Sequence, residues 1–369
     1  MKKYLPSIEF YKHRLEQSQY RPVEFLSFLK KNNVPIIKVT PFRIQDTLLT
    51  LTGEIHTKDI LRLLCEVHIV ETTKRQVGNE CLLKLMSSPV LQRSVSLTGI
   101  TTVSHISCVT PDQVWISDYL YNNLLLINTV GDTLHQLTDR CSGWGVYTVD
   151  IGGNLIYIDK EYNISKLCEN NRRKVKLIKS TNEPWRPRCI YSCPSCGDLL
   201  AVMWNIDTKT INVTRYTSIG QHIQTIQQNS RGQDIYSYPK YITENNNGDI
   251  VVSDFNNGVV VTEVGGKYRF SYTGPPSKSG LDPLGICTDA LSHILVCDGY
   301  TRAVHMIDKD GHFLSMLPLT KQQNIHEPWS LCYDKKSHLL WVGSLDGRVN
   351  VYRHIERKDK VPDNKNHFY

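Results

Sequence analysis

The sequence predicts an all-β propeller of six blades, with a short, partly helical N-terminal extension. Three observations carry this. A short apolar motif recurs six times at a nearly constant interval, hairpin-turn signals flank it, and no helical stretch separates the copies.

The motif reads Gln113-Val-Trp-Ile-Ser-Asp118, Asn154-Leu-Ile-Tyr-Ile-Asp159, Asp198-Leu-Leu-Ala-Val-Met203, Asp249-Ile-Val-Val-Ser-Asp254, His293-Ile-Leu-Val-Cys-Asp298 and His338-Leu-Leu-Trp-Val-Gly343. Start-to-start spacings are 41, 44, 51, 44 and 45 residues. Each copy is rich in β-branched and aromatic residues and bounded by turn formers, which reads as a buried strand. Apolar segments such as Pro239-Lys-Tyr-Ile-Thr243, Pro283-Leu-Gly-Ile-Cys287 and Pro328-Trp-Ser-Leu-Cys332 lie upstream. Gly152-Gly153-Asn154, Cys196-Gly197-Asp198 and Asn247-Gly248-Asp249 separate such pairs, and Gly and Asn accept the positive φ of tight turns. A third strand follows with its own turn, at Gly131-Asp132, Gly220-Gln221, Gly265-Gly266 and Asp310-Gly311. The absence of strand–helix alternation disfavours a parallel sheet.

The sixth unit is short of a strand, because the chain turns polar after Arg348-Val-Asn-Val-Tyr-Arg-His-Ile355. An alternating segment, Arg93-Ser-Val-Ser-Leu-Thr98, stands alone before the first unit. An open blade edge would leave backbone groups unpaired, so residues 93–98 are expected to close the ring on the last blade. The expected organisation is an N-terminal segment over 1–90, the propeller over 91–356 and a polar tail over 357–369. In the first segment Ile8, Tyr11 and Leu15 fall at helical spacing, and Pro22 opens a second helical piece through Leu29. Pro35 to Pro41 reads as extended, and Thr57 caps a short amphipathic helix through Val67. The opening helix suits self-association in a coiled coil or packing on the propeller.

Hydrophobic residues make up 40% and charged residues 21% of the 369, the composition of a globular protein. No run approaches the ~18 apolar residues of a membrane span, and no apolar signal core follows Met1, which places the chain in the cytoplasm. The eleven cysteines are scattered singly through apolar runs, as reduced thiols would be. The net charge is +7, but residues 1–90 hold 14 Lys and Arg against 9 Asp and Glu, leaving 29 against 27 beyond. The excess therefore does not mark a basic face on the propeller.

Two units carry a family resemblance. Pro283-Leu-Gly-Ile-Cys-Thr-Asp289, with His293 to Asp298 and Met306-Ile-Asp-Lys-Asp-Gly311, resembles an NHL-repeat blade, as does Tyr238-Pro-Lys-Tyr-Ile242 with Asp249 to Asp254. Such blades have a Pro/Gly lead-in, an apolar strand ending in Asp and a following turn with Gly. Val109-Thr-Pro-Asp-Gln-Val-Trp-Ile-Ser-Asp118 with Gly131-Asp-Thr-Leu-His135, and the run Tyr241 to Asp254, are similar to tripartite-motif proteins with C-terminal NHL propellers, of the kind expanded in bivalve molluscs. The resemblance covers the whole chain, with residues 1–35 matching the end of the coiled coil. It implies a binding propeller whose longer relatives are ubiquitin ligases. No zinc-bound RING or B-box is present in this sequence, so it implies substrate selection rather than ubiquitin transfer by this chain.

Four groups of residues are candidates for chemistry. Asp118, Asp159, Asp254 and Asp298 end equivalent strands and could ring a metal, but each suits a turn in which it accepts backbone hydrogen bonds. Repetition of one residue also argues against catalysis, which needs differentiated groups. Cys193-Pro-Ser-Cys196 has the spacing of a zinc or redox pair, yet no second pair completes four ligands and the motif falls at a hairpin turn. Lys174 and Lys176 alternate with Val175 and Leu177 on an exposed strand, which suits a solvated face or phosphate contact. The lead-in loops place Trp144, Trp185, Arg186, Arg188, Tyr238, Lys240 and Trp329 on a common rim. Aromatic and Arg side chains dominate interfaces and stack on bases, although Trp144 and Trp329 suit packing between blades equally.

No phosphate-binding glycine loop or G-x-S-x-G elbow is present, and no cofactor, metal or catalytic set is expected. The expected function is a non-catalytic scaffold binding a protein partner, with a place in ubiquitin-dependent turnover. RNA binding by the propeller and a gluconolactonase-like metal hydrolase are the alternatives.

Overall fold

The β-branched run of each repeat forms the second strand of a four-stranded antiparallel sheet, and six such sheets make the propeller. A computed structural model describes residues 83–357, except 98, 119–122, 139, 142, 169–172, 181–183, 276–279, 318 and 320–326, and also residues 42–44 and 47–49. The chain divides into two units, Met1–Gly78 and Asn79–Tyr369. In the first, Phe42–Ile44 and Thr47–Leu49 pair as a hairpin that the periodicity does not mark. The helices expected near residues 8–29 and 57–67 lie outside the described residues, as does the polar tail beyond Arg357.

Blade 1 runs through Val103–Thr110, Gln113–Asp118, Leu124–Asn128 and Thr133–Leu137. Blade 2 comprises Tyr147–Val149, Leu155–Ile158, Ile164–Leu167 and Lys174–Ile178. Blade 3 comprises Trp185–Ser192, Leu199–Asn205, Ile211–Tyr216 and His222–Ile226. Pro239–Glu244, Ile250–Asp254, Gly258–Thr262 and Tyr268–Tyr272 form blade 4. Pro283–Thr288, Ile294–Asp298, Ala303–Ile307 and Phe313–Leu317 form blade 5. Blade 6 takes Pro328–Asp334, Leu339–Ser344 and Arg348–Arg357 from the C-terminal end and its outermost strand, Leu83–Ser96, from the N-terminal side.

The closing strand pairs Ser96 with Arg348, Val95 with Val349 and Leu83 with Arg357. It begins at Leu83, well before the 93–98 segment, because Arg348–Arg357 is long enough to pair along its whole length. The first strands pack side by side about the axis, with Pro328–Asp334 against Val103–Thr110 joining the two ends of the ring. The core lies between blades. Ile164, Tyr147 and Ile190 link blades 2 and 3, Val202 and Ile250 link blades 3 and 4, and Trp341 with Ile106 links blades 6 and 1. Both faces of most second and third strands are buried, which is why they read as continuous apolar runs rather than alternating ones.

Candidate functional site on the lead-in face

Register fixes which loops share a face. The start of each first strand pairs with the end of the second: Val103 with Asp118, Trp185 with Asn205, Pro239 with Asp254, Pro283 with Asp298 and Pro328 with Ser344. Each lead-in loop therefore lies beside the turn that follows the second strand.

The recurrent aspartates tie these two segments together. Asp254 Oδ2 accepts the backbone N–H groups of Ser237 and Tyr238 in the lead-in loop, while Oδ1 accepts those of Asn256 and Asn257 in the turn. Asp298 repeats this with Asp282 on one side and Tyr300 and Thr301 on the other. Asp118 accepts from Thr101, and Asp159 from Glu161 and Asn163. All four are buried, and their bonds are the turn chemistry that explains their recurrence. Among the described residues no group of three or more His, Cys, Asp and Glu could hold a metal ion.

Beside this staple the first strands bulge. The register skips Ser104 in blade 1, Arg188 in blade 3, Lys240 in blade 4 and Trp329 in blade 6. A bulge leaves one residue unpaired and re-aims its side chain. Three of the seven rim candidates, Arg188, Lys240 and Trp329, thus occupy equivalent bulge positions.

The structure brings five of the seven together into or beside one cluster. The Arg188 guanidinium carbon lies 4.2 Å from the centre of the Tyr238 ring and 5.7 Å from that of Trp204. Tyr238 meets Trp144 edge-on at 6.5 Å and Phe255 at 6.1 Å between ring centres. Lys240 Nζ sits 4.4 Å from the Phe255 ring and 5.5 Å from Trp144, and donates to Asp282 Oδ1 at 2.9 Å. Gly145 lets the Trp144 loop approach: with φ at +60°, an added Cβ would lie 2.9 Å from Cys189 Cβ and 3.0 Å from the Lys240 carbonyl oxygen. Trp329, half-buried at the blade 6 bulge, packs against the same apolar cluster as Trp144, the inter-blade role open to both.

Lys240 is buried within this cluster. It is only 6% exposed, so its ammonium joins blades 4 and 5 through Asp282 rather than facing a ligand. Arg186 and Trp185 lie apart from the cluster. The Arg186 guanidinium bonds the Ser180 hydroxyl and stacks 5.3 Å from the Tyr162 ring centre, and Trp185 lines a cleft with Tyr162 and Met203.

Side chains from blades 1, 2 and 4 meet at the axis below the face. The Tyr241 hydroxyl of blade 4 donates to the Ser104 carbonyl of blade 1. His105 stacks on Tyr241 at 5.5 Å and meets Tyr147 edge-on at 4.5 Å. The Tyr147 hydroxyl donates to the His105 carbonyl at 2.6 Å. His105 Nε2 lies 3.0 Å from the Tyr147 carbonyl, which can only accept, so that nitrogen carries the proton. Burial lowers the His105 pKa to about 4, which keeps the ring neutral near pH 7.

The other candidates are spoken for. Lys174 pairs with Asp159 at 3.1 Å and Lys176 with Glu161 at 2.8 Å, which makes them partners of the blade 2 turn. Cys193 and Cys196 are free thiols in a hairpin turn closed by Gly197 N–H to the Cys193 carbonyl, and burial pushes the Cys193 thiol well up.

One feature lies outside the lead-in loops altogether. Among the described residues, the turns after the second strands of blades 2 to 6 each expose an apolar or aromatic side chain: Tyr162, Ile206, Phe255, Tyr300 and Leu345. Phe255 is 43% and Tyr300 67% exposed. A signal was present in Asp254-Phe-Asn-Asn-Gly258, where an aromatic residue stands among turn formers that have no packing use for it.

Fold and site together define a six-bladed β-propeller with an aromatic, cation-bearing lead-in face. No family model and no curated protein sequence matches the chain. Solved structures do. A protein of unknown function from Bacteroides thetaiotaomicron aligns at TM-score 0.55 and 14% identity, over 74% of this chain and 76% of that one. A gluconolactonase from Xanthomonas campestris aligns at 0.52 and 14%, over 69% and 86%. A streptogramin B lyase aligns at 0.50 and 13%, over 73% and 99%. At such identities the likeness shows the fold alone. No membrane-length apolar helix occurs among the described residues.

Proposed function

We propose that the propeller is a non-catalytic recognition scaffold that binds a protein partner through its lead-in face. The observation that carries this is the set of exposed Tyr162, Ile206, Phe255, Tyr300 and Leu345 in turns on the same face as the cation–aromatic cluster. Clustered exposed apolar and aromatic groups mark interaction sites, and Tyr, Trp and Arg are the usual anchors. The side chains at the axis support binding over hydrolysis, since Tyr241 turns its hydroxyl to a backbone carbonyl of the opposite blade and His105 and Tyr147 turn polar atoms to each other's backbone across adjacent blades. Pairing of Lys174 and Lys176 with acids supports a protein over an RNA partner. The tripartite-motif resemblance extends the reading to substrate selection in ubiquitin-dependent turnover.

Proximity labelling with wild type, with Phe255→Glu/Tyr300→Glu and with Val130→Glu/Ile219→Glu on the opposite face tests the assignment. The first pair of changes should remove the specific partners and the second should not. Identical partner sets for all three proteins would sink it.

A further inference from the structure

Arg188 is unlike the other cations near the face. Lys240 is neutralised by Asp282, Arg302 pairs with Glu327 at 3.0 Å, and Arg186 holds Ser180. Among the described residues Arg188 makes neither an ion pair nor a hydrogen bond, only the ring contacts with Tyr238 and Trp204. Half-buried at its bulge, it is held against two aromatic faces with its N–H donors unused. Lys209 adds a second cation, its Nζ 5.2 Å from the centre of the Trp204 ring and bonded to the Ile206 carbonyl at 2.6 Å. Among the described residues Asp207, which shares the Lys209 turn, pairs with neither cation.

An arginine fixed by stacking has lost little of its capacity for planar, bidentate bonding to a carboxylate, because the guanidinium edge remains free. Phe255 stands one aromatic ring away across Tyr238. We infer that Arg188 is the anchor for an acidic side chain of a linear peptide segment in the partner, with an adjacent apolar side chain seated on Phe255 and Tyr238. This rests on the lead-in face being the binding face, and it names what that face reads.

Selection of displayed random dodecapeptides on the full chain tests it. Peptides selected on wild type should be enriched in Asp or Glu next to an aromatic or large aliphatic residue. They should lose at least tenfold in affinity on Arg188→Glu, and selection on that variant should favour Lys or Arg at the same position. Arg188→Lys, which keeps the charge without the fork, should retain the acidic preference at reduced affinity. Peptides that survive Phe255→Glu/Tyr300→Glu would place binding elsewhere and overturn the face itself. Peptides lost on that variant but lacking an acidic residue would leave the face standing and overturn the anchor. Single-stranded polyuridylate binding that depends on Arg188 and displaces the peptides would make phosphate the ligand and overturn the peptide assignment. A selection that yields no peptide overturns both.

Discussion

Tyr241 on blade 4 reaches across the propeller axis and donates its hydroxyl to the carbonyl of Ser104 on blade 1. The two residues stand on opposite sides of a six-membered ring, so one hydrogen bond ties blades that share no sheet. Both groups are buried, and burial pushes the Tyr241 pKa well up, which keeps the phenol protonated as a donor. Tyr241→Phe leaves the Ser104 carbonyl without this donor and should cost about 1–3 kcal/mol in urea unfolding. The lead-in face should keep its partners in this variant.

His105 beside it gives the fold an acid limit. Its folded pKa of about 4 lies below the ordinary histidine value of 6.5, so the unfolded chain binds more protons between those two values. Stability is therefore lost as pH falls from 6.5 to 4, by about 3 kcal/mol for this group. His105→Gln should be less stable at pH 7 but should flatten that stretch of the curve, read by denaturant midpoints across pH. Asp289 acts in a separate, lower window. Bonds from His293 and His354 outweigh its burial and hold its pKa near 2, so its contribution persists above 3.8 and is lost as pH falls through about 2.

The strand-end aspartates should behave as structure. Asp254→Ala strips the acceptor from four backbone N–H groups in two loops and should cost on the order of 3 kcal/mol or more. A chelator added to wild type should leave the melting temperature where it is, since these carboxylates are occupied by amides.

Ring closure should be visible on truncation. A chain that begins at Asn79 keeps the whole Leu83–Ser96 strand and should unfold in one cooperative step. A chain that begins at Ile100 exposes the edge of Arg348–Arg357 and should unfold more readily and aggregate with rising concentration, measured by light scattering.

The blades were legible because their cause is local. Runs such as Ile250-Val-Val-Ser-Asp254 specify a doubly buried strand, and Asp254 announces the turn that follows. The closing segment was legible as an unpaired pattern, but its start at Leu83 was not, since Met86-Ser-Ser-Pro-Val90 breaks the alternation that marks a strand. The site was legible in residue type and not in exposure. Lys240 and Arg188 follow a proline in equivalent positions, yet Asp282 from the next blade pairs with one and no acid among the described residues pairs with the other. That difference depends on contacts between repeats, which no single repeat encodes. The exposed residues led by Phe255 and Tyr300 lay in turns after the second strands, and which face those turns share depends on cross-strand register.

Hydrogen–deuterium exchange of the full chain, alone and saturated with the most strongly labelled partner, tests the central claim most directly. The account expects protection in the turns carrying Tyr162, Ile206, Phe255, Tyr300 and Leu345 and in the loop around Trp144, with no change at the turns of Val130, Ile219 and Val264. Protection confined to those last turns, with the lead-in face exchanging as in the free protein, would contradict it.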